Sequence, residues 1–235
     1  MVNKVTWAVP RGLSQCSEKN RFPQSAKKGI YLKKIWLFAV VLIFLILVPM
    51  TAFADGGLSI STDGGATWKT YTTDNGLGDD YVGGVCVSGS TIYAATDGGL
   101  SVSSDGGATW KTYTTANGLG GDQVCGVYVS GSTIYAATGT GGLSISSNGG
   151  KTWKTYTSDN GFGGLGGSAL NNVMSVYVSG STIYAGTDQR GLSVSTDGGA
   201  TWKTYTKANG LGDDEVNGVY ASGSMIYAAT GSTGY

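Results

Sequence analysis

The sequence repeats itself along most of its length, and this self-similarity constrains the fold more than any local feature does. The stretch STDGGATW at 61–68 returns three times in nearly identical form. The closing tryptophans of the four copies, Trp68, Trp110, Trp153 and Trp202, lie 42, 43 and 49 residues apart. A period of this length is typical of architectures in which each unit buries its apolar faces on the next unit.

Each repeat is predicted to contain four short β-strands. In the second unit the strands are expected at 82–88, 91–96, 100–104 and 109–114, which are rich in Val, Ile, Thr and Tyr. Gly, Ser and Asp residues separate them, as is typical of turns between antiparallel strands. The sequence therefore predicts an all-β protein, and its period predicts a β-propeller built from four-stranded antiparallel blades.

The point at which the chain enters the repeat predicts how the ring closes. The first expected strand, 57–61, is the third strand of a blade, whereas the last, 225–230, is a second strand. Pairing of the N-terminal and C-terminal strands would complete a fourth blade and leave no open sheet edge. We therefore expect a closed four-bladed ring. Two alternatives stay open, namely a piece of a larger ring and a homodimer in which two chains share eight blades.

The first 54 residues differ from the repeats and match a secretory signal. Residues 1–34 carry eight basic side chains and one acidic side chain, and an unbroken apolar run follows at 35–48. Small residues then precede a cleavage site that we predict after Ala54. We therefore expect an exported protein (periplasmic, secreted or on the cell surface) whose propeller repeats occupy 55–235. The alternative is an uncleaved segment that holds the protein at a membrane.

The composition of 55–235 disfavours several functions. Seven basic and 14 acidic side chains give this segment a formal net charge of −7, which would repel nucleic acid and anionic membranes. It contains no histidine, so the commonest general base and metal ligand is missing. Cys86 and Cys125 fall at strand positions that face opposite sides of a sheet, so we expect no disulfide between them.

The four turn clusters resemble a known motif. They match the Asp-box, S-x-D-x-G-x-T-W, of the BNR repeats found in sialidase-like propellers. The resemblance implies a structural turn on the side of the propeller away from the active site. Asn148 replaces the aspartate in the third copy, which keeps an acceptor oxygen but loses the charge and so favours a structural role. The matching positions are Asp63 and Trp68, Asp105 and Trp110, Asn148 and Trp153, and Asp197 and Trp202.

A second motif, NGL or NGF, lies in each connection from an outer strand to the next inner strand. It is similar to the loops of the propeller repeats in two-component regulators. Acidic neighbours such as Asp74 and Asp79 suggest calcium, which prefers oxygen ligands. However, Ala116, Gly121 and Ala208 take their places in other copies. We therefore predict no metal and no cofactor, and calcium stays the minority alternative.

The sialidase resemblance does not extend to the catalytic residues. Sialidases are expected to present three arginines together with a tyrosine and glutamate pair. The repeat region has one arginine, Arg190, and one glutamate, Glu215. We therefore expect no enzymatic activity. A degenerate glycoside hydrolase stays an alternative, because the separation of two catalytic carboxylates is a spatial property.

Differences in repeat length point to one face of the propeller. The additional residues of the longer units fall within 138–142 and 161–172, in connections that we expect at the same end of the blades. This variable loop face also contains the one place where the consensus breaks into a charged pair. The alternative is a surface ion pair without a ligand. The residues expected to contact a ligand are Asn171, Asn172, Asp188, Gln189 and Arg190.

These observations together predict a binding protein. The leading hypothesis is an exported, non-enzymatic β-propeller that binds a protein or glycan partner, or acts as a scaffold, through the variable loop face. One alternative is a multivalent lectin with one weak sugar site on each blade, since avidity rewards near-identical units. Nucleic acid is not expected as a partner.

Overall fold

The computed structural model describes residues 56–163 and 172–231. The predicted leader and signal segment, 1–54, lies outside these residues. No helix in the described part is long and apolar enough to cross a membrane. The strands are, in chain order, β1 (Leu58–Ile60), β2 (Lys69–Tyr71), β3 (Val82–Ser88), β4 (Thr91–Thr96), β5 (Gly99–Ser103), β6 (Lys111–Tyr113), β7 (Val124–Ser130), β8 (Thr133–Thr138), β9 (Gly142–Ser146), β10 (Lys154–Tyr156), β11 (Val173–Ser179), β12 (Thr182–Thr187), β13 (Leu192–Ser195), β14 (Lys203–Tyr205), β15 (Val216–Ser222) and β16 (Met225–Thr230).

Twelve of these strands form three complete blades. The blades are β3–β6, β7–β10 and β11–β14, and in each one consecutive strands are antiparallel neighbours. The same register recurs, with Ile92 opposite Ser103 in the first blade and Ile134 opposite Ser146 in the second. The structure therefore confirms the all-β fold and the four-stranded antiparallel blades.

The terminal strands correct the predicted closure. β1 and β2 form one two-stranded sheet, and β15 and β16 form another. The structure does not pair them, so it contains the outer half of one blade and the inner half of another as separate sheets. Side chains of β16 are consequently exposed, and Ile226 shows 45% of its surface. Sequence similarity predicts that two edges fit each other, but it does not decide whether one chain curves enough to join them.

The core lies between the blades. Leu100 in β5 packs in one cluster with Val124 in β7 and Ile134 in β8, which belong to the following blade. A second cluster joins the second and third blades in the same way around Leu143 and Val173. Full burial of such a side chain stabilises the folded state by about 1.5–3 kcal/mol. Each blade is thus stabilised by the next, as the repeat predicts.

Small residues let the inner strands approach one another. Gly84 lies opposite Ala95 and Gly126 lies opposite Ala137 in the first two blades. In the third blade the pair is Ser175 and Gly186. A Cβ on Gly186 would lie 2.6 Å from Ser175 Oγ and would also meet the carbonyl oxygen of Val216. The larger residue on one strand is therefore matched by the smaller residue on its partner.

One cysteine can be described fully. Cys86 lies opposite Tyr93 in the first blade and is a half-buried free thiol. No disulfide therefore joins it to Cys125.

Candidate functional site

Every blade presents two different ends. At one end, the turn face, the Ser-x-Asp/Asn-Gly-Gly-x-Thr-Trp cluster connects the third strand to the fourth. At the other end, the loop face, two connections meet, one from the second strand to the third and one from the preceding blade into the inner strand. Backbone hydrogen bonds join them, because the Gly139 amide donates to Gln123 O at 2.8 Å and the Asp188 amide to Asn172 O at 3.2 Å.

On the turn face, the aspartate binds its own turn. In the first copy the Thr67 hydroxyl donates to Asp63 Oδ2 at 2.6 Å, and the Thr67 amide donates to Oδ1 at 2.9 Å. The Ser61 hydroxyl donates to the same Oδ1 at 2.8 Å. Asp105 and Asp197 make the equivalent bonds at nearly the same distances. Both carboxylate oxygens are therefore engaged by groups of the turn itself.

These hydrogen bonds also determine the charge state of the turn. Donation by the threonine hydroxyl, then by the threonine amide and the serine hydroxyl, lowers the pKa of Asp63, Asp105 and Asp197 to about 2. The three carboxylates are thus ionised at neutral pH and have no proton to donate to a substrate.

The third turn keeps the same geometry without a charge. The Thr152 amide donates to Asn148 Oδ1 at 3.0 Å, and Asn148 Nδ2 donates to the Thr152 hydroxyl at 2.8 Å. The amide group therefore replaces the carboxylate by reversing one donor and one acceptor.

The tryptophan of each complete turn packs on the preceding blade. Trp153 meets Tyr113 edge-on with ring centroids 5.8 Å apart, and Trp110 meets Tyr71 at 5.7 Å. The Tyr71 hydroxyl also donates to Gly106 O in the following turn at 3.2 Å. The turn face therefore couples neighbouring blades through aromatic contacts.

On the loop face, the NGL connections also use their polar groups locally. Asp80 Oδ1 accepts a hydrogen bond from the Thr73 amide at 2.6 Å, and Asp122 and Asp214 accept equivalent bonds. Leu77, Leu119 and Phe162 are buried beneath these connections. Within 56–163 and 172–231, no three acidic, cysteine or histidine side chains converge on a position where they could hold a metal ion.

The structure brings together two of the five residues expected to contact a ligand. Asn172 Nδ2 donates to Asp188 Oδ2 at 3.2 Å, and both residues lie on the loop face of the third blade. Gln189 is exposed beside them, and the Arg190 amide donates to Thr187 Oγ1 at 3.0 Å. The Asn171 position lies outside the described residues.

Of the four residues that immediately precede the inner strands, sequence reasoning predicted only Asn172 as a site residue. This position holds Tyr81, Gln123, Asn172 and Glu215 in the four copies, directly before a valine in every case. A β-bulge follows at the next position but one, held by Gly83, Cys125, Met174 and Asn217. Bulges are frequent next to binding sites, where they redirect a side chain. The signal was present as variation at equivalent positions of otherwise near-identical repeats.

These positions and the second-to-third strand connections form a rim, which we call the mouth. Gln123 Nε2 donates to Asp97 Oδ1 of the preceding blade at 3.2 Å. Asn217 Nδ2 donates to Glu215 Oε1 at 3.1 Å and to Gly231 O at 3.0 Å. The mouth therefore combines carboxylates, amides and one tyrosine, and its composition differs from blade to blade.

Two acceptors at the mouth are buried and have no hydrogen-bond partner among the described residues. They are the amide oxygens of Asn172 and Asn217. Buried polar atoms are almost always satisfied in folded proteins, so a donor from water or a ligand is expected at each oxygen. The third blade and the β15–β16 sheet are adjacent here, because the Gly191 amide donates to Asp214 O at 2.7 Å.

Burial raises two pKa values at the first blade's side of the mouth. Burial is the main cause that raises the pKa of Asp97. The Gln123 hydrogen bond lowers this pKa, and the negative charge of Asp79 raises it. Burial and then the negative charge of Asp97 raise the pKa of Tyr81. The phenol therefore remains protonated and can donate a hydrogen bond.

Comparison with known proteins identifies the fold as a β-propeller. The model of the DUF6242 beta propeller domain matches residues 54–164, which is just under half of the 235-residue chain. No curated protein matches the chain.

Solved structures with the same architecture include extracellular domains. One is the extracellular domain of a hybrid two component system from B. thetaiotaomicron, with 18% identity, a TM-score of 0.55, and coverage of 68% of this chain and 23% of that one. Another is an ancestral GH74 enzyme, with 24% identity, a TM-score of 0.51, and coverage of 64% of this chain and 21% of the enzyme.

At these identities the likeness concerns the fold alone. This chain spans less than a quarter of the length of either structure. The chain is therefore similar to β-propeller proteins in its architecture.

Proposed function

We propose that this chain is an exported, non-enzymatic β-propeller module that binds a protein or glycan ligand at the mouth of the loop face. The observation that carries the proposal is the mouth itself, where the side chains vary between blades and two buried amide oxygens have no partner among the described residues. Polar groups placed in this way give a ligand both hydrogen bonds and discrimination. The apolar signal segment at 35–48 and the extracellular origin of a structural neighbour support export.

The geometry of the turn face supports a purely structural role for the residues that resemble the Asp-box. The aspartates are occupied by their own turns, and Asn148 replaces one of them without loss of geometry. We assign Asp63, Asp105, Asn148 and Asp197 to turn formation, and their tryptophans to contacts between blades. The turn carboxylates have lowered pKa values, so they do not supply the protonated carboxylic acid that glycoside hydrolysis uses.

The repeated-lectin alternative receives less support than a single site. A site on every blade would use positions that the repeats share, but the shared aspartates accept hydrogen bonds from their own connections. The side chains at the mouth differ between blades. We therefore expect one ligand for each chain, and no bound metal or cofactor.

The proposal is tested by screening the exported protein against an oligosaccharide array and a displayed-peptide library. The strongest probe is then titrated by calorimetry into the wild type and two variants of the third blade. Asp188→Asn alters the mouth, whereas Asp197→Asn alters the turn face and copies the natural Asn148. We expect about a tenfold or greater loss of affinity for Asp188→Asn, about 1.4 kcal/mol, and no change for Asp197→Asn.

The stoichiometry separates the alternatives. One ligand per chain supports the single site, whereas one sugar per blade would support the lectin. Equal loss of affinity in both variants, or turnover of an oligosaccharide probe, would overturn the proposal.

A further inference from the structure

Large exposed apolar side chains in the described residues are confined to the incomplete blades and the strand beside them. Trp68 follows β1, and the others lie on β3, β15 and β16. On the β15–β16 sheet Tyr220 lies opposite Tyr227, and clustered apolar surface of this kind marks interaction sites in soluble proteins. The residues are Trp68, Val85, Val87, Tyr220, Met225, Ile226 and Tyr227.

The same positions are less exposed wherever the neighbouring element is present. Ile226 is 45% exposed, whereas its equivalent in the second blade, Ile134, is 2% exposed. Val87 is 62% exposed, whereas its equivalent Val129 is 9% exposed. The sequence around these residues is nearly the same, so the exposure results from a missing neighbour.

We propose that β1 and β2 of a second copy of this chain cover β16, so that two half-sheets from different molecules form one composite blade. The strand that covers β4 in the first blade is β5, which reads GLSVS, and β1 with its flanks reads GLSIS at 57–61. β16 reads MIYAAT, and β4 reads TIYAAT. The occupant that fits β16 is therefore carried by the chain itself.

The register of the composite blade follows from the complete blades. Ile92 lies opposite Ser103, and Tyr93 lies opposite Val102. The equivalent contacts place Ile226 opposite Ser61 and Tyr227 opposite Ile60 of the second copy.

Two hydrogen bonds that recur in the complete blades have their acceptor in or beside β1 and their donor in or beside the β15–β16 sheet. The Thr96 hydroxyl donates to Gly99 O at 2.7 Å, and Gly99 has a φ of 133°. Gly57 already has a φ of 129°, so its carbonyl is oriented to accept the equivalent bond from Thr230. Only the partner strand is missing.

The second bond involves the NGL connection. The Gly78 amide donates to Ser101 Oγ at 2.9 Å, and Ser101 Oγ lies 2.9 Å from Thr112 Oγ1. Ser59 Oγ lies 2.8 Å from Thr70 Oγ1 in the same arrangement. In the composite blade it accepts the bond from the Gly212 amide of the other molecule.

An aromatic contact that recurs between blades also has one partner at each end of the repeat region. Tyr71, Tyr113 and Tyr156 each meet the tryptophan of the next blade. Tyr205 is the equivalent of these tyrosines, but the blade that follows it lacks its outer half. Trp68 is the equivalent of these tryptophans and is 65% exposed. In the composite blade Trp68 of one molecule packs on Tyr205 of the other.

A second copy fits better than the same chain, because the two half-sheets of one chain are separate in the structure. Two copies that exchange half-sheets reciprocally form a closed ring of about eight blades, within the usual range for propellers. A closed two-fold assembly also leaves neither half-sheet incomplete. This assembly is independent of the ligand that the mouth binds.

A cross-linking experiment on the full exported chain tests the register. The variant Ile60→Cys with Tyr227→Cys is oxidised and separated without reductant. We expect a covalent dimer, since opposed strand residues satisfy disulfide geometry. Ile60→Cys with Ala229→Cys is the control, because a shift of two residues separates the sulfurs, and each single variant controls for the natural cysteines. A cross-linked monomer, no cross-link, or an equal yield in the shifted control would overturn the proposal.

Light scattering provides the second measurement. We expect the wild type to have twice the mass of a single chain, and Trp68→Ala and Ile226→Asp to halve it while the resulting monomer still unfolds in a cooperative transition. Trp153→Ala is the matched control, since Trp153 packs within one chain and its loss should lower the melting temperature but leave the mass doubled. A monomeric wild type, or dimeric Trp68→Ala and Ile226→Asp, would overturn the composite blade.

Discussion

The two faces of the propeller use the same residue types for different purposes. On the turn face, Asp105 is held by three donors of its own turn, and the arrangement recurs with nearly constant distances. On the loop face, Asp97 is held by Gln123 of the next blade, and no other copy repeats this pair. Repetition therefore accompanies local, self-contained hydrogen bonding. Residues that vary between the repeats instead form hydrogen bonds between blades.

This difference explains why the repeated turn cluster, the most conspicuous motif of the sequence, is not the proposed site. A residue that completes its own turn stabilises every blade equally and has little capacity left for a ligand. The residues at the mouth differ from blade to blade. Variants of the two faces should therefore affect stability and binding in opposite proportions.

The largest expected effect is on the turn face. Gly150 has a φ of 85°, and a Cβ there would lie 2.6 Å from the Tyr113 ring. Gly150→Ala should lower the free energy of unfolding by about 3 kcal/mol, through backbone strain and overpacking. Gly149→Ala is the matched control, because Gly149 has a φ of 69° but nothing within 4 Å of the added carbon. Thermal unfolding should show a clearly smaller loss for the control, and equal losses would contradict the packing explanation.

The inner strands beneath the mouth provide the next test. Gly186→Ala should cost about 2 kcal/mol, because the new methyl group meets Ser175 Oγ and the Val216 carbonyl. The double variant Ser175→Gly with Gly186→Ala restores the pair found in the other blades and should recover part of the loss. A double-mutant cycle by denaturant unfolding measures the coupling. Additive effects would mean that the two positions vary independently.

A smaller effect is expected from the charge of the turns. The folded-state pKa of Asp63, Asp105 and Asp197 is about 2, below the ordinary 3.8. The carboxylates therefore stabilise the folded state above about pH 4, and this contribution is lost as the pH falls towards about 2. The triple variant Asp63→Asn, Asp105→Asn, Asp197→Asn should unfold with a flatter pH dependence in that window. An unchanged acid transition in chemical unfolding would contradict the assignment.

The smallest effect concerns one carboxyl group of the mouth. Burial raises the pKa of Asp97, and the Gln123 hydrogen bond opposes this rise. Gln123→Leu should raise the pKa of Asp97 further, as followed by carboxyl-carbon NMR. Because the folded-state pKa lies above the unfolded value, ionisation of Asp97 destabilises the fold as the pH rises through that pKa. Gln189→Leu, at an exposed position of the same face, should leave the titration unchanged.

Sequence reasoning predicted the repeated part of the molecule and only some of the residues in the part that varies. The strands of the first complete blade agree with prediction to within two residues, because β-rich runs and Gly-Gly turns encode them locally. Asn172 and Asp188 were predicted together and lie within hydrogen-bonding distance. Tyr81, Gln123 and Asn217 were not predicted, because each is an ordinary residue in its own repeat. They can be recognised as candidate site residues only once the structure places them together at the mouth.

By itself, the sequence determined the blade, because strand propensity, turn chemistry and the period of the repeat all act over a few tens of residues. Only the tertiary structure decided which side chains meet across blades and whether the first and last strands pair. These outcomes depend on small rotations between packed sheets that accumulate along the chain. The same near-identical repeats therefore specify how each blade packs on the next, but they do not specify whether β1–β2 and β15–β16 join, and in the structure these are separate sheets.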